Sequence, residues 1–156
     1  MSEKIIIKEG KTLKLQNVLI REVSQEEILN STRTLHMMNS YILSKNVNVT
    51  GPLINYSNVK MDGERQPVVT AKFMLQLSSD VVADFPYIFE KTVVEKDCLF
   101  ARFHEKEENL QFAYQKLGVY AFENDIKLRG DSYTVFVKRD PTDYIMADIF
   151  MPVKNF

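Results

Sequence analysis

Residues 120–153, YAFENDIKLRGDSYTVFVKRDPTDYIMADIFMPV, hold in one stretch the end of a helix, a turn marked by Gly130, a strand, a tight turn at Asp140-Pro141 and a closing strand. The same order of events occurs earlier, between Tyr41 and Leu77. Setting Gly130 on Gly51 gives an offset of 79, at which Tyr120 falls on Tyr41, Tyr114 on Leu35, Leu117 on Met38, Asp125 on Asn46, Ile126 on Val47 and Leu128 on Val49. The chain therefore reads as one β-α-β-β module written twice, about 12–79 and 88–155, within a single domain over 1–156. Two such modules predict an α+β fold: an antiparallel sheet with two helices on one face and a concave cleft between the modules.

The flanking segments fit this grammar. Ile5–Ile7 predicts an edge strand and Leu13–Val23 a first core strand, with a phase shift between Leu15 and Val18 that marks a bulge. Ser24-Gln25-Glu26-Glu27 has the form of a capping box. Ile28, Ser31, Leu35, Met38 and Ile42 then fall at helical spacing, so one amphipathic helix is expected from Gln25 to about Lys45. Strands are expected at Leu53–Met61 and Val69–Leu77 around a turn at Asp62–Arg65, with the module junction in Ser78–Pro86. In the second module Thr92–Phe103 predicts a strand. Glu105–Asn124 predicts a helix with Leu110, Tyr114, Leu117 and Ala121 on its apolar face and Glu105, Glu107 and Glu108 at its N-terminal end.

Composition excludes several classes of function. Hydrophobic content of 45% and charged content of 26% describe an ordinary soluble globular chain rather than a disordered one. The net charge of −1, without a basic-aromatic stripe, argues against direct nucleic-acid binding. The apolar run near the N-terminus is far too short for a signal core or a membrane span, so a cytoplasmic protein is expected. Cys98 is the single cysteine, which rules out an internal disulfide and a zinc-thiolate cluster, and its alternating neighbours predict a packed strand position. His36 and His104 lie in no haem-ligand signature, so no cofactor or metal is expected.

Four short segments resemble the GyrI-like family of bacterial effector-binding domains: Gly51-Pro52-Leu53-Ile54-Asn55-Tyr56, Tyr120-Ala121-Phe122-Glu123-Asn124, Asp140-Pro141 and Asp148-Ile149-Phe150-Met151-Pro152-Val153. Members of that family end many multidrug-sensing transcription activators and also occur alone. The resemblance implies a stand-alone binding domain without a DNA-binding half, whose ligand enters the cleft between modules. The family often carries Glu-x-Tyr before the last turn, where a carboxylate meets a cationic ligand; here those positions are Val135 and Val137. Glu105 and Glu107 stand where the family has Gly-x-Tyr at the second helix. A valine offers a cation no charge, so a neutral apolar or amphipathic ligand is expected.

The candidate ligand-binding residues are Tyr56, which matches the family tyrosine and falls opposite Val135 at the offset of 79, and Asn58, opposite Val137. Tyr133, Val135 and Val137 join them on one strand face, and Tyr41 and Tyr120 stand at the helix walls. A core tyrosine with a satisfied hydroxyl accounts equally well for Tyr56. Some proteins of this architecture are hydrolases, but no nucleophile, base and oxyanion donor can be named together, so no enzyme is expected. The candidate partners are a small hydrophobic ligand or, alternatively, another polypeptide received by the cleft or a strand edge, which would make the chain a protein-interaction module.

Overall fold

The computed structural model describes residues 5–154. Strand β1 runs unbroken over Ile6–Val23, joining the expected edge strand to the expected core strand. The phase shift sits at Asn17, whose φ of 52° lies in the left-handed region that asparagine tolerates. Before it Leu13 and Leu15 are buried; after it Val18, Leu19, Ile20 and Val23 are. The capping box forms as expected: the Ser24 hydroxyl accepts the Glu27 N–H at 3.2 Å, and the Glu27 carboxylate accepts the Ser24 N–H at 3.0 Å.

The helix that follows is two helices, α1 at Gln25–Leu29 and α2 at Ser31–Ser44, which corrects the expectation of one. Asn30 leaves the helical region (φ −110°, ψ 41°) and its carbonyl accepts the N–H groups of Arg33 and Thr34, starting a new helix. Ile28, placed on the predicted stripe, lies before that break and is exposed, while Thr34, Met38 and Ile42 are buried. Strands β2 (Ile54–Met61) and β3 (Pro67–Gln76) form an antiparallel hairpin, and β3 also pairs antiparallel with β1.

In the second half β4 spans Tyr87–Lys106 and is followed by a 3-10 turn at Glu107–Asn109 and helix α3 at Leu110–Glu123. Glu105 is thus a strand residue, paired with Ile145, rather than the start of the helix. Glu107 turns away from α3 to hold Arg139 at 2.5 Å. Strands β5 (Asp131–Arg139) and β6 (Tyr144–Pro152) close the chain as an antiparallel hairpin, with β6 also paired to β4.

The chain divides into two units, Lys14–Val93 and Met1–Leu13 with Val94–Phe156, and β1 and β4 each contribute residues to both. Each unit is α+β, with its helix on one face of antiparallel strands. In the first, Leu19, Val23, Phe73 and Leu75 pack under Met38 and Ile42; in the second, Leu99, Ala101, Phe103, Ile145, Ala147 and Ile149 pack under Ala113, Leu117 and Ala121.

The duplication is written into the backbone. Leu77 donates to the Asn17 carbonyl (2.8 Å) and Val153 to the Asp97 carbonyl (3.1 Å); Thr50 donates to Gln76 (2.9 Å) and Arg129 to Pro152 (3.0 Å); Ser78 donates to Asn48 (2.8 Å) and Lys154 to Lys127 (2.7 Å). Left-handed residues recur in step, Asn17 with Asp97 and Asn46 with Asp125. The first strands correspond at an offset of 80, the helix ends and loops at 79 and the last strands at 76. Residue 155, the expected end of the second module, lies outside the described residues.

Candidate functional site

Because each helix covers one strand face, alternation turns every second side chain to the other. In the Lys14–Val93 unit that helix-distal face carries two cross-strand rows: Ile20, Met74 and Ile54, then Glu22, Lys72 and Tyr56. In the other unit the corresponding rows are Phe100, Phe150 and Tyr133, then Arg102, Asp148 and Val135. Tyr56 and Val135 occupy equivalent places, one row beyond Ile54 and Tyr133.

Tyr56 is half-buried, and the ammonium of Lys72 lies 5.3 Å from its ring centroid. Asn58 follows on the same face; its amide oxygen is buried and has no hydrogen-bond partner among the described residues. Tyr133 is buried and donates its hydroxyl hydrogen to Glu95 at 2.7 Å. Val137 departs from the expected shared face. A register shift between Phe136 and Lys138 leaves Val137 bulged and 43% exposed, and Lys138 takes the place opposite Met146.

Asp148 is a residue that spacing did not single out. It stands directly across from Val135, and its carboxylate takes both Nε and Nη2 of Arg102, at 2.8 and 2.9 Å. The expected floor of tyrosine and valine therefore contains a carboxylate, already neutralised by a guanidinium on the neighbouring strand. A second network adjoins Tyr133: Arg129 holds Glu95 at 2.6 Å and Asp131 at 2.5 Å, and these hydrogen bonds to Asp131 and then Glu95 keep it protonated. Cys98 is fully buried, its thiol donating to the Glu95 carbonyl at 3.4 Å; burial first, and Glu95 second, push it up to about 11. It is a packed thiol rather than an activated one. His104 sits edge-on to the Tyr144 ring.

Both helix-end tyrosines tie their helix to a carboxylate on a segment distant in sequence. Tyr41 donates to the Asp84 carboxylate and accepts the Asp84 N–H at 3.2 Å, and its ring stacks on Tyr87 at 4.1 Å; burial and then Asp84 raise its phenol above the ordinary value. Tyr120 donates to Glu9 at 2.6 Å. Three adjoining hollows in the Lys14–Val93 unit, of about 240, 490 and 620 Å³, all touch Arg21. Its guanidinium is committed to Glu27 and to the Glu22 carbonyl. Tyr41 and His36 border the 490 Å³ hollow, while Glu22 and Lys72 border that of 620 Å³. Among the described residues no helix is long and apolar enough to cross a membrane.

No protein-family model matches the sequence, and no curated protein matches it. Solved structures do match over nearly the whole chain. The EcmrR C-terminal domain aligns with a TM-score of 0.67 and 12% identity, covering 98% of each chain. An EcmrR–DNA complex aligns at 0.69 and 14% identity over 98% of this chain, which spans 58% of that EcmrR chain. SAV2435 bound to tetraphenylphosphonium aligns at 0.54 and 13% identity, covering 98% of this chain and 95% of its own. Two structures from Listeria innocua described as hydrolases align at 0.53. At these identities the likeness is one of fold, and that fold is the effector-binding-domain type.

Proposed function

We propose that the chain is a GyrI-like effector-binding domain that takes a neutral apolar or amphipathic small molecule in the cytoplasm, without contacting DNA itself and without catalysis. The single observation that carries this reading is on β2: Tyr56 and Asn58 share the helix-distal face, and Asn58 presents a buried acceptor with no hydrogen-bond partner among the described residues. A buried amide oxygen left unpaired costs about 1–3 kcal/mol, which a ligand hydroxyl would offset while the phenol ring covers its apolar part. Tyr133 and Val135 hold the corresponding places within the other unit. The Arg102 clamp on Asp148 favours a neutral ligand over a cation. Support from the fold for small-molecule binding, but not for a neutral ligand, comes from SAV2435, whose structure holds the cation tetraphenylphosphonium.

A thermal-shift screen of neutral and cationic hydrophobic compounds tests the reading. Neutral compounds are expected to raise Tm in the native chain, and Tyr56→Ala is expected to remove the shift. Uniform silence, with a pull-down that returns one stoichiometric partner, would favour the protein-interaction reading. That second reading has its own observation: Phe112, Val119 and Phe122 are exposed on one face of α3.

A further inference from the structure

Lys72 is the cation of the largest of the three hollows that is left to meet a ligand. Arg21 in the same hollow is bound to Glu27, whereas Lys72 forms no ion pair among the described residues and rests its ammonium over Tyr56. Around it the hollow is walled by Ile20, Val69, Phe85 and Ile88. Ile20 is buried, but the other three are bare for apolar side chains: Phe85 is 97% exposed, and Val69 and Ile88 are each more than half exposed. The volume of about 620 Å³ falls within the range of small-molecule sites. Of the two acidic residues in the lining Glu27 is held by Arg21, while Glu22, across the strand pair from Lys72, forms no ion pair among the described residues.

The rings point the same way. Lys72 over Tyr56, Lys45 over Tyr41 and Lys11 over Phe100 lie at 5.3, 5.3 and 5.7 Å from the ring centroids. Each ammonium occupies a place where a ligand cation would otherwise meet the negative face of the ring. We infer that the hollow beside Lys72 takes an amphipathic molecule with an anionic head, the carboxylate at Lys72 and the apolar part along Val69, Phe85 and Ile88. Neither Tyr56 nor Asn58 lines this hollow, so its anionic ligand is a second one beside the neutral molecule proposed above, and the inference rests on that reading only in taking the chain to bind small molecules.

Titration calorimetry of the full chain with dodecanoate, dodecanol and dodecyltrimethylammonium, each below its micelle concentration, tests the inference. Dodecanoate is expected to bind about tenfold tighter than dodecanol, as one charge-assisted hydrogen bond provides, with the ammonium compound weakest. Lys72→Met should bring dodecanoate down to the affinity of dodecanol without weakening dodecanol. Glu22→Gln should tighten dodecanoate, and Lys72→Gln replaces the methionine variant if that one does not fold. Equal binding of dodecanoate and dodecanol to the native chain, or a preference that survives loss of Lys72, overturns the anionic head and leaves the small-molecule reading standing. Silence from all three overturns it as well; the wider screen of neutral compounds then decides whether only this hollow fails or the whole reading does.

Discussion

Cys98 shows how a side chain's surroundings set its chemistry. Its thiol is buried against the Glu95 carbonyl, so the folded state favours the protonated form, with the group raised from an ordinary 9.0 to about 11. The unfolded chain therefore releases the proton first, and stability contributed by this group is fully present below pH 9 and lost as pH rises from 9 toward 11. Reaction with a disulfide reagent at pH 8 is expected to be slow in the native chain and immediate in denaturant; rapid native labelling would show that the thiol is accessible after all. Arg102 and Asp148 make the opposite case, a pair in which each group depends on the other. Asp148 keeps only 14% of its side chain exposed, so Arg102→Met leaves a poorly solvated carboxylate unpaired. A loss of about 1–2 kcal/mol is expected in urea unfolding, discounted because the arginine is half exposed. Adding Asp148→Leu should restore most of it. Two single losses that simply add would mean the pair is not coupled.

Among the elements, α3 has a glycine where a helix gains nothing from one. A methyl group added at Gly118 would meet no atom within 4 Å, so Gly118→Ala is expected to raise stability by about 0.5–1 kcal/mol, read as a higher denaturation midpoint with an unchanged slope. The cap of α1 works in the other direction. Ser24→Ala should cost about 1 kcal/mol, since it leaves the Glu27 N–H unpaired. The Ser24 N–H, and then Arg21, hold the Glu27 carboxyl below the ordinary 4.5, so its contribution is present above that value and lost as pH falls through the lowered one. The capping box was legible because it is a local pattern of residue types, and the strands were legible because alternation is. The break at Asn30 was not: Asn-Ser-Thr interrupts no apolar period, and the new helix begins on backbone hydrogen bonds that composition does not encode. Nor was the end of β4, because Glu105 suits a helix start as well as a strand edge and only its pairing with Ile145 decides. The bulge at Val137 has the same origin, in a register between strands rather than along one.

At the scale of the molecule, duplication was visible through the loop that leaves each helix, where Asn46 and Asp125 are both left-handed and the glycine pair follows five residues later. What each copy does with its helix-distal face was hidden, because three strands of different offset must be brought into register before the rows can be compared. Once they are, equivalent rows carry opposite charge: Glu22 and Lys72 beside Tyr56, Arg102 and Asp148 beside Val135. The two rows thus carry reversed charges, and in the second Arg102 balances Asp148. Val135→Glu sets a second carboxylate beside Asp148, on the side away from Arg102, and is expected to lower Tm in buffer by the equivalent of about 1–2 kcal/mol through like-charge repulsion and desolvation. Tetraphenylphosphonium, which would relieve that excess charge, should then raise the Tm of the Val135→Glu chain well above any shift it gives the native one. Equal shifts in the two chains would mean that Asp148 already meets a cation despite Arg102, and that the guanidinium clamp does not set the ligand's charge.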